Sequence, residues 1–129
     1  MIRGLQPNIL INDRACLPGD FDTPEQRILG SVLKRPWESC ITSVERHWGY
    51  HAGERIWKRP ERIIHVLAQI AEGGGNVLLN VGPKADGTFP QQFADLVREV
   101  GKWLETNGEA IYASNPGVCE CLYIWRISV

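Results

Sequence analysis

The stretch EGGGNVLLNVGPKADGTFP, from Glu72 to Pro90, places glycines on both sides of a short apolar run. Gly73 to Gly75 follow an amphipathic pattern, and glycine is the residue that most often ends a helix. The run NVLLNVG (76–82) predicts a strand with both faces buried, and GPKADGT predicts a loop that turns at its Asp-Gly pair. The stretch therefore predicts a helix–strand–loop unit, which is the repeating piece of a parallel α/β fold.

The same glycines raise the alternative of a phosphate-binding loop. A dinucleotide site needs G-x-G-x-x-G after a strand and at the start of a helix. Gly73 and Gly75 fit two of these positions, but Leu78 occupies the third and the glycines precede the strand. A P-loop needs Gly-Lys followed by Ser or Thr, and the chain contains no such sequence. Nucleotide binding is therefore not expected.

Further helices and strands extend this unit in both directions. Apolar residues at three- and four-residue intervals predict one helix that opens at Pro60 and another from about Pro90 to Thr106. Short apolar segments predict strands on either side. They are Asn8–Asp13, Ser39–Ser43 and Ala110–Tyr112. Strands that alternate with helices indicate parallel βα units, with sites in the loops that follow the strands.

Composition excludes several classes of partner. The 129 residues include 14 basic and 15 acidic side chains, for a net charge of −1. No basic cluster stands out, so neither a nucleic acid nor an anionic membrane is expected as partner. No apolar run approaches the roughly 18 residues of a membrane span, and no signal peptide is visible. A soluble protein is expected, with its compartment open. Free thiols are predicted for the cysteines, Cys16, Cys40, Cys119 and Cys121.

Two glutamates lie in surroundings that suit glycoside hydrolysis, which commonly uses a pair of carboxyl groups. Glu25 lies in a loop after the first predicted strand. Glu38 follows Trp37, and a carboxyl group beside an aromatic wall loses hydration and holds a proton more easily. Either glutamate can equally be a solvated surface charge or a salt-bridge partner.

Aromatic and basic side chains complete the list of candidates. Trp48 and Tyr50 lie on either side of a glycine and can form a wall against a sugar ring, although Trp48 can also be a core residue. His47 and His51 have helical spacing, but the glycine between them argues against a helix, and no metal site is expected. Arg14 directly follows the first predicted strand, where its guanidinium can donate hydrogen bonds to hydroxyl oxygens or pair with a nearby aspartate.

Six segments occur in an order that resembles the α-L-fucosidases of glycoside hydrolase family 29. They are LQPNILINDR, GDFDTPEQ, PWESC, HWGY, GGNVLLNVGPKADGT and GKWLETNGEAIYAS. The resemblance implies a retaining exo-hydrolase that removes terminal α-L-fucose and needs no metal or other cofactor. It implies an acid/base role for Glu25 or Glu38, with Glu38 slightly favoured by the W-E-x-C form. It implies that Arg14 and Trp48 contact fucose, and Trp37 joins them as a substrate-binding candidate.

The resemblance also implies that part of the family's catalytic barrel is missing. The predicted fold is the C-terminal half of a (β/α)8 (TIM-type) barrel over residues 1–116, followed by a divergent tail, 117–129. No residue of the chain matches the family's nucleophilic aspartate, so little activity is expected from the chain alone. The expected partners are a fucosylated glycan and either a complementary N-terminal half or a second copy of the chain. The alternative is a non-catalytic carbohydrate-binding or assembly module.

Overall fold

The computed structural model describes residues 2–29 and 35–114. Helices and short parallel strands alternate along the chain. The helices are α1 (Ile2–Leu5), α2 (Pro60–Glu72) and α3 (Gln91–Asn107), the strands are β1 (Glu38–Thr42) and β2 (Asn76–Asn80), and two 3-10 helices span Asp13–Ala15 and Gly108–Ala110. The mixed α/β class expected from the sequence is therefore present.

The strands and the segments before them pair in parallel, each with the next one along the chain. In the β1–β2 pair, Glu38 lies opposite Asn76 at one end and Thr42 opposite Asn80 at the other. Three single parallel bridges continue this ladder toward the start of the chain. They join Asn12 to Phe21, Asp22 to Trp37 and Glu25 to Cys40. The carboxyl ends of all these segments consequently lie toward the same edge.

Helix α2 begins and ends where its sequence predicts. Pro60 opens it, at a position where the missing N–H costs nothing. Its buried residues Ile63, Val66 and Ile70 form one face, as the three- and four-residue spacing requires. At its end the Gly73 N–H donates to the carbonyl oxygen of Gln69 at 3.2 Å. The glycine run therefore closes a helix.

Two apolar clusters cover one face of the β1–β2 pair. In the first, Trp37 and Ile41 pack against Val66 and Ile70 of α2. In the second, residues of α2 and α3 meet. They are Ile63, Leu96 and Val100. Leu79 of β2 packs against both clusters, so this strand links the two helices into one core.

The predicted strand Asn8–Asp13 is wrong. Within it only Asn12 makes a strand-type bridge. The Ile11 N–H instead donates to the side-chain oxygen Oδ2 of Asp20 at 2.7 Å, and a 3-10 helix starts at Asp13. The apolar composition was typical of a strand, but a carboxylate from the following loop takes one of the hydrogen bonds that a neighbouring strand would supply.

Two further strand predictions need correction. Residues 76–80 do form β2, but Leu78 is 43% exposed, because the described clusters cover only the face that carries Leu79. The segment Ala110–Tyr112 is not a strand. A helical turn continues there, with the Tyr112 N–H donating to the Gly108 carbonyl at 2.7 Å.

Cys16 and Cys40 are free thiols, as predicted. Cys119, Cys121 and the predicted tail lie outside the described residues. Across the described ranges, the helices are too short or too polar to cross a membrane.

Candidate active site

An arginine, a glutamate and a cysteine meet on the face of β1 away from the helices. Arg14 Nη1 donates to Glu25 Oε1 at 2.5 Å, and Arg14 Nη2 donates to Cys40 Sγ at 3.2 Å. The hydrogen bond to Glu25 raises the pKa of the Arg14 guanidinium above its ordinary value. Two of the residues predicted for the site are thus in direct contact. About half of each of their side chains is exposed, so the pair is open to a ligand.

The backbone brings these side chains together. The Asp13 carboxylate accepts hydrogen bonds from the N–H and the hydroxyl of Thr23, at 3.0 and 2.6 Å. These bonds hold the segment before Arg14 against the segment before Glu25. The Cys40 N–H then donates to the Pro24 carbonyl at 2.9 Å, which sets Glu25 directly opposite Cys40.

The Asp13–Thr23 contact is expected to make the stability of the fold depend on pH in the acid range. The hydrogen bond from the Thr23 hydroxyl holds the pKa of Asp13 below the ordinary value of 3.8. A carboxyl group with a lowered folded-state pKa contributes stability that is fully present above its unfolded pKa and is lost as pH falls through its folded pKa. Thr23→Val is therefore expected to lower stability at pH 6 and to lose part of that deficit below about pH 4. Urea unfolding at both pH values measures this, and an equal deficit at both would contradict it.

Glu38 lies on the same face of β1 as Cys40, but nearer the amino end. Side chains alternate along a strand, so Glu38 and Cys40 point to one side and Ile41 to the other, where α2 packs. Glu38 is the first residue of β1 and pairs with the first residue of β2. It therefore lies about 7 Å along the strand from Cys40, toward the amino end.

Trp37 lies in the core. Only 1% of its surface is exposed, and its indole N–H donates to the Gly73 carbonyl at 3.3 Å. A Cβ on Gly75 would lie 2.4 Å from its ring, so the ring fills the space that this glycine leaves. It offers no face to a sugar in this chain, and we assign Trp37 to the core instead of to the substrate-binding set.

Trp48 lies in the loop between β1 and α2, which follows the carboxyl end of β1. It is 39% exposed, so its ring is available to a ligand. His47 and His51 stack with ring centroids 4.6 Å apart, and His47 Nε2 lies 3.8 Å from Glu54 Oε2. The backbone N–H of Ile56 donates to Glu54 and lowers the pKa of that carboxyl group. The stacked imidazoles and the hydrogen-bonded Glu54 carboxylate fix the conformation of this segment, which we call the aromatic loop (residues 43–59).

The aromatic loop touches the chain after β2 at Gly82. A Cβ on Gly82 would lie 2.0 Å from the Tyr50 nitrogen, so any side chain there would displace the loop. Gly82→Ala is expected to destabilise the protein by about 1–3 kcal/mol, the usual cost of overpacking. Gly101→Ala is the matched control, because nothing lies within 4 Å of its added Cβ. Urea unfolding of both variants tests this, and equal stabilities would contradict it.

Sequence reasoning missed a polar cluster beside Glu25, made by Gln26, Thr42 and Lys58. Alternation along β1 would have placed Thr42 on the face of Cys40. No local signal links Gln26 to Lys58, because the contact joins residues 32 positions apart. Within residues 2–29 and 35–114, no group of three metal-ligating side chains is placed to hold a metal ion.

Comparison with known proteins decides the family. The family model described as alpha-L-fucosidase matches residues 1–109. The chain belongs to the α-L-fucosidase family. Plasma α-L-fucosidase of Homo sapiens is 36% identical over 115 residues, which are 83% of this chain and 25% of the human protein. An α-L-fucosidase of Branchiostoma floridae is 33% identical over 120 residues, which are 87% of this chain and 27% of that protein.

Solved α-L-fucosidase structures resemble the fold as well as the sequence. Isoenzyme 1 from Paenibacillus thiaminolyticus superposes with a TM-score of 0.85 at 39% identity, over 93% of this chain and 32% of that one. This chain therefore spans about a quarter to a third of each of these three fucosidases. Residues 1–109, which the family model matches, contain Arg14, Glu25, Glu38 and Trp48.

Proposed function

We propose that this chain supplies the acid/base half of the active site of a retaining exo-α-L-fucosidase. The observation that carries the proposal is the contact between Arg14 and Glu25 on the open face of β1. Family membership supplies the reaction, which is hydrolysis of terminal α-L-fucose from a glycan or glycoconjugate. The supporting features are the partly exposed carboxylate, the adjacent guanidinium and the exposed Trp48 beyond the carboxyl end of β1.

Of the two carboxylates predicted for the acid/base role, we choose Glu25. Enzymes built from parallel βα units carry their sites at the carboxyl ends of the strands. Glu38 is the first residue of β1, at the opposite end from the loop that carries Trp48. Glu25 lies opposite Cys40, further along the strand, and directly contacts Arg14. The slight preference for Glu38 in the sequence is thereby reversed.

In this mechanism Arg14 donates to sugar oxygens instead of to Glu25 once fucose is bound, so that Glu25 can hold a proton. Glu25 transfers that proton to the glycosidic oxygen as the bond to fucose breaks. A nucleophilic carboxylate attacks the anomeric carbon from the other face and forms a covalent fucosyl-enzyme intermediate. Glu25 then takes a proton from water, and the resulting hydroxide attacks the anomeric carbon and releases fucose with retained configuration. Arg14 donates hydrogen bonds to sugar oxygens, and Trp48 packs against the apolar face of the ring.

The nucleophile is proposed to come from a complementary N-terminal barrel half. No segment of this chain matches the family's nucleophilic aspartate. We propose that the parallel segments are the C-terminal half of a (β/α)8 barrel, with the open ladder continuing into that second half. The exposed Leu78 on the face of β2 away from the helices is a position that a closed barrel would cover.

The stereochemistry of the first product tests this function. The completed protein is this chain joined to the N-terminal barrel half of another family member. When it hydrolyses an aryl α-L-fucoside, proton NMR is expected to show α-L-fucose as the first product, since two displacements at one carbon restore its configuration. Initial release of the β anomer would overturn the retaining mechanism. Saturable binding of L-fucose by the completed protein without any hydrolysis would instead favour a carbohydrate-binding module.

A further inference from the structure

We propose that Lys58 is a positioning residue that fixes the Glu25 loop to the carboxyl end of β1 through Gln26 and Thr42. This inference rests on the proposed role of Glu25. Lys58 belongs to the loop that carries Trp48, so the same contacts join the acid/base segment to the aromatic loop.

The Gln26 side chain extends the parallel ladder by one residue. Gln26 has φ of 52°, a left-handed conformation that non-glycine residues adopt only at a cost, and it turns the chain away from β1. Its backbone N–H still donates to the Cys40 carbonyl at 2.9 Å. Its side-chain amide then bonds to Thr42, two residues further along β1. Nε2 donates to Thr42 Oγ1 at 2.5 Å, and Oε1 accepts from the Thr42 N–H at 3.4 Å.

Lys58 closes this arrangement. Its ammonium group donates to the Thr42 carbonyl at 2.8 Å, and to Thr42 Oγ1 and Gln26 Oε1, both at 3.3 Å. Its backbone N–H donates to the Ser43 carbonyl at 3.0 Å. Burial of the ammonium group lowers the pKa of Lys58, so this lysine is held at a cost in hydration. Lysines on solvated surfaces do not bear that cost.

The consequence for Glu25 follows from its position in the chain. Glu25 is held on one side by the Cys40–Pro24 hydrogen bond and on the other by Gln26. If the Lys58 side chain is removed, the Gln26 amide oxygen loses the hydrogen bond from the ammonium group, and the strained turn after Glu25 becomes free to relax. The Glu25 carboxylate is then no longer held in one orientation, which lowers the rate of proton transfer more than it lowers substrate affinity.

The contacts of Lys58 with Gln26 and Thr42 are called the clamp below. Hydrogen exchange on the isolated chain tests the clamp without an activity assay. Lys58→Met is expected to speed exchange of the Gln26 and Cys40 N–H groups by about tenfold, with the amides of α2 unchanged. Lys58→Arg is expected to keep most of the protection, because it keeps the charge. Lys102→Met, on an exposed helical lysine, is the matched control and is expected to leave both amides unchanged. Equal exchange in Lys58→Met and wild type would overturn the proposal.

If the α2 amides of Lys58→Met lose their protection from exchange, that variant has unfolded, and a second variant is needed. Gln26→Ala removes only the amide contacts of an exposed residue and is expected to speed exchange of the Cys40 N–H by a similar factor. Unchanged exchange in this variant would also overturn the clamp.

Steady-state kinetics of the completed protein distinguish a positioning role of Lys58, which affects kcat, from a role in substrate binding, which affects KM. Lys58→Met is expected to lower kcat by about 10- to 100-fold with KM changed less than about twofold, and Lys58→Arg is expected to recover most of kcat. A loss confined to KM would overturn the positioning role. If the wild-type completed protein does not hydrolyse fucosides, the proposed function fails, while the exchange experiment still decides whether the clamp exists.

Discussion

Glu25→Gln is expected to lower kcat for an alkyl α-L-fucoside by about 10²- to 10⁴-fold in the completed protein, the usual contribution of general acid–base catalysis. Glutamine keeps the size of the side chain and its contact with Arg14 but has no proton to transfer. The loss is expected to be smaller for an aryl fucoside with an acidic phenol as leaving group, because that group departs without protonation. Initial rates with both substrates measure the difference.

The matched control is Glu38→Gln, which makes the same change on the same face of β1. It is expected to lower kcat by less than about tenfold, which is below the contribution of a general acid, because Glu38 lies at the amino end of the strand. A larger loss from Glu38→Gln than from Glu25→Gln would contradict the assignment and return the acid/base role to Glu38.

Trp37→Ala is expected to lower the free energy of unfolding by about 3–5 kcal/mol, as other large-to-small changes in cores do. The indole ring is enclosed by Ile41, Val66 and Ile70, and the variant would leave a cavity among them. Urea denaturation of the isolated chain measures the loss.

Trp48→Ala is the control for that experiment, because Trp48 is the exposed tryptophan of the aromatic loop. It is expected to change the free energy of unfolding by less than about 1 kcal/mol while weakening fucose binding in the completed protein. Equal destabilisation by the two variants would contradict the placement of Trp37 in the core.

The helices could be predicted from the sequence because their signals are local. The spacing of Ile63, Val66 and Ile70 sets the buried face of α2, and the glycine run sets its end. The strands were less predictable, because a strand needs neighbours that the local sequence does not describe. Ser39–Ser43 was predicted close to the observed β1 and has β2 beside it, whereas Asn8–Asp13 loses one of its hydrogen bonds to the Asp20 carboxylate.

The site was predicted as separate residues without their arrangement. Arg14 and Glu25 were both candidates, but their contact depends on Asp13 and Thr23, which carry no chemical signature of their own. The error over Trp37 was avoidable, because adjacent residues of an extended chain point to opposite faces. Trp37 therefore cannot form the wall beside Glu38, and the proposed aromatic contact with fucose falls to Trp48.

Hydrolysis of an aryl α-L-fucoside by the completed protein tests most directly whether this chain supplies the acid/base half of a fucosidase active site. We expect the isolated chain to release no phenol above background and the completed protein to release it. We expect cleavage of an alkyl fucoside to fall about 10²- to 10⁴-fold when glutamine replaces Glu25. A correctly folded completed protein that leaves the aryl fucoside uncleaved would contradict the proposed function. A Glu25→Gln variant that cleaves the alkyl fucoside as fast as the wild type would contradict the role of Glu25.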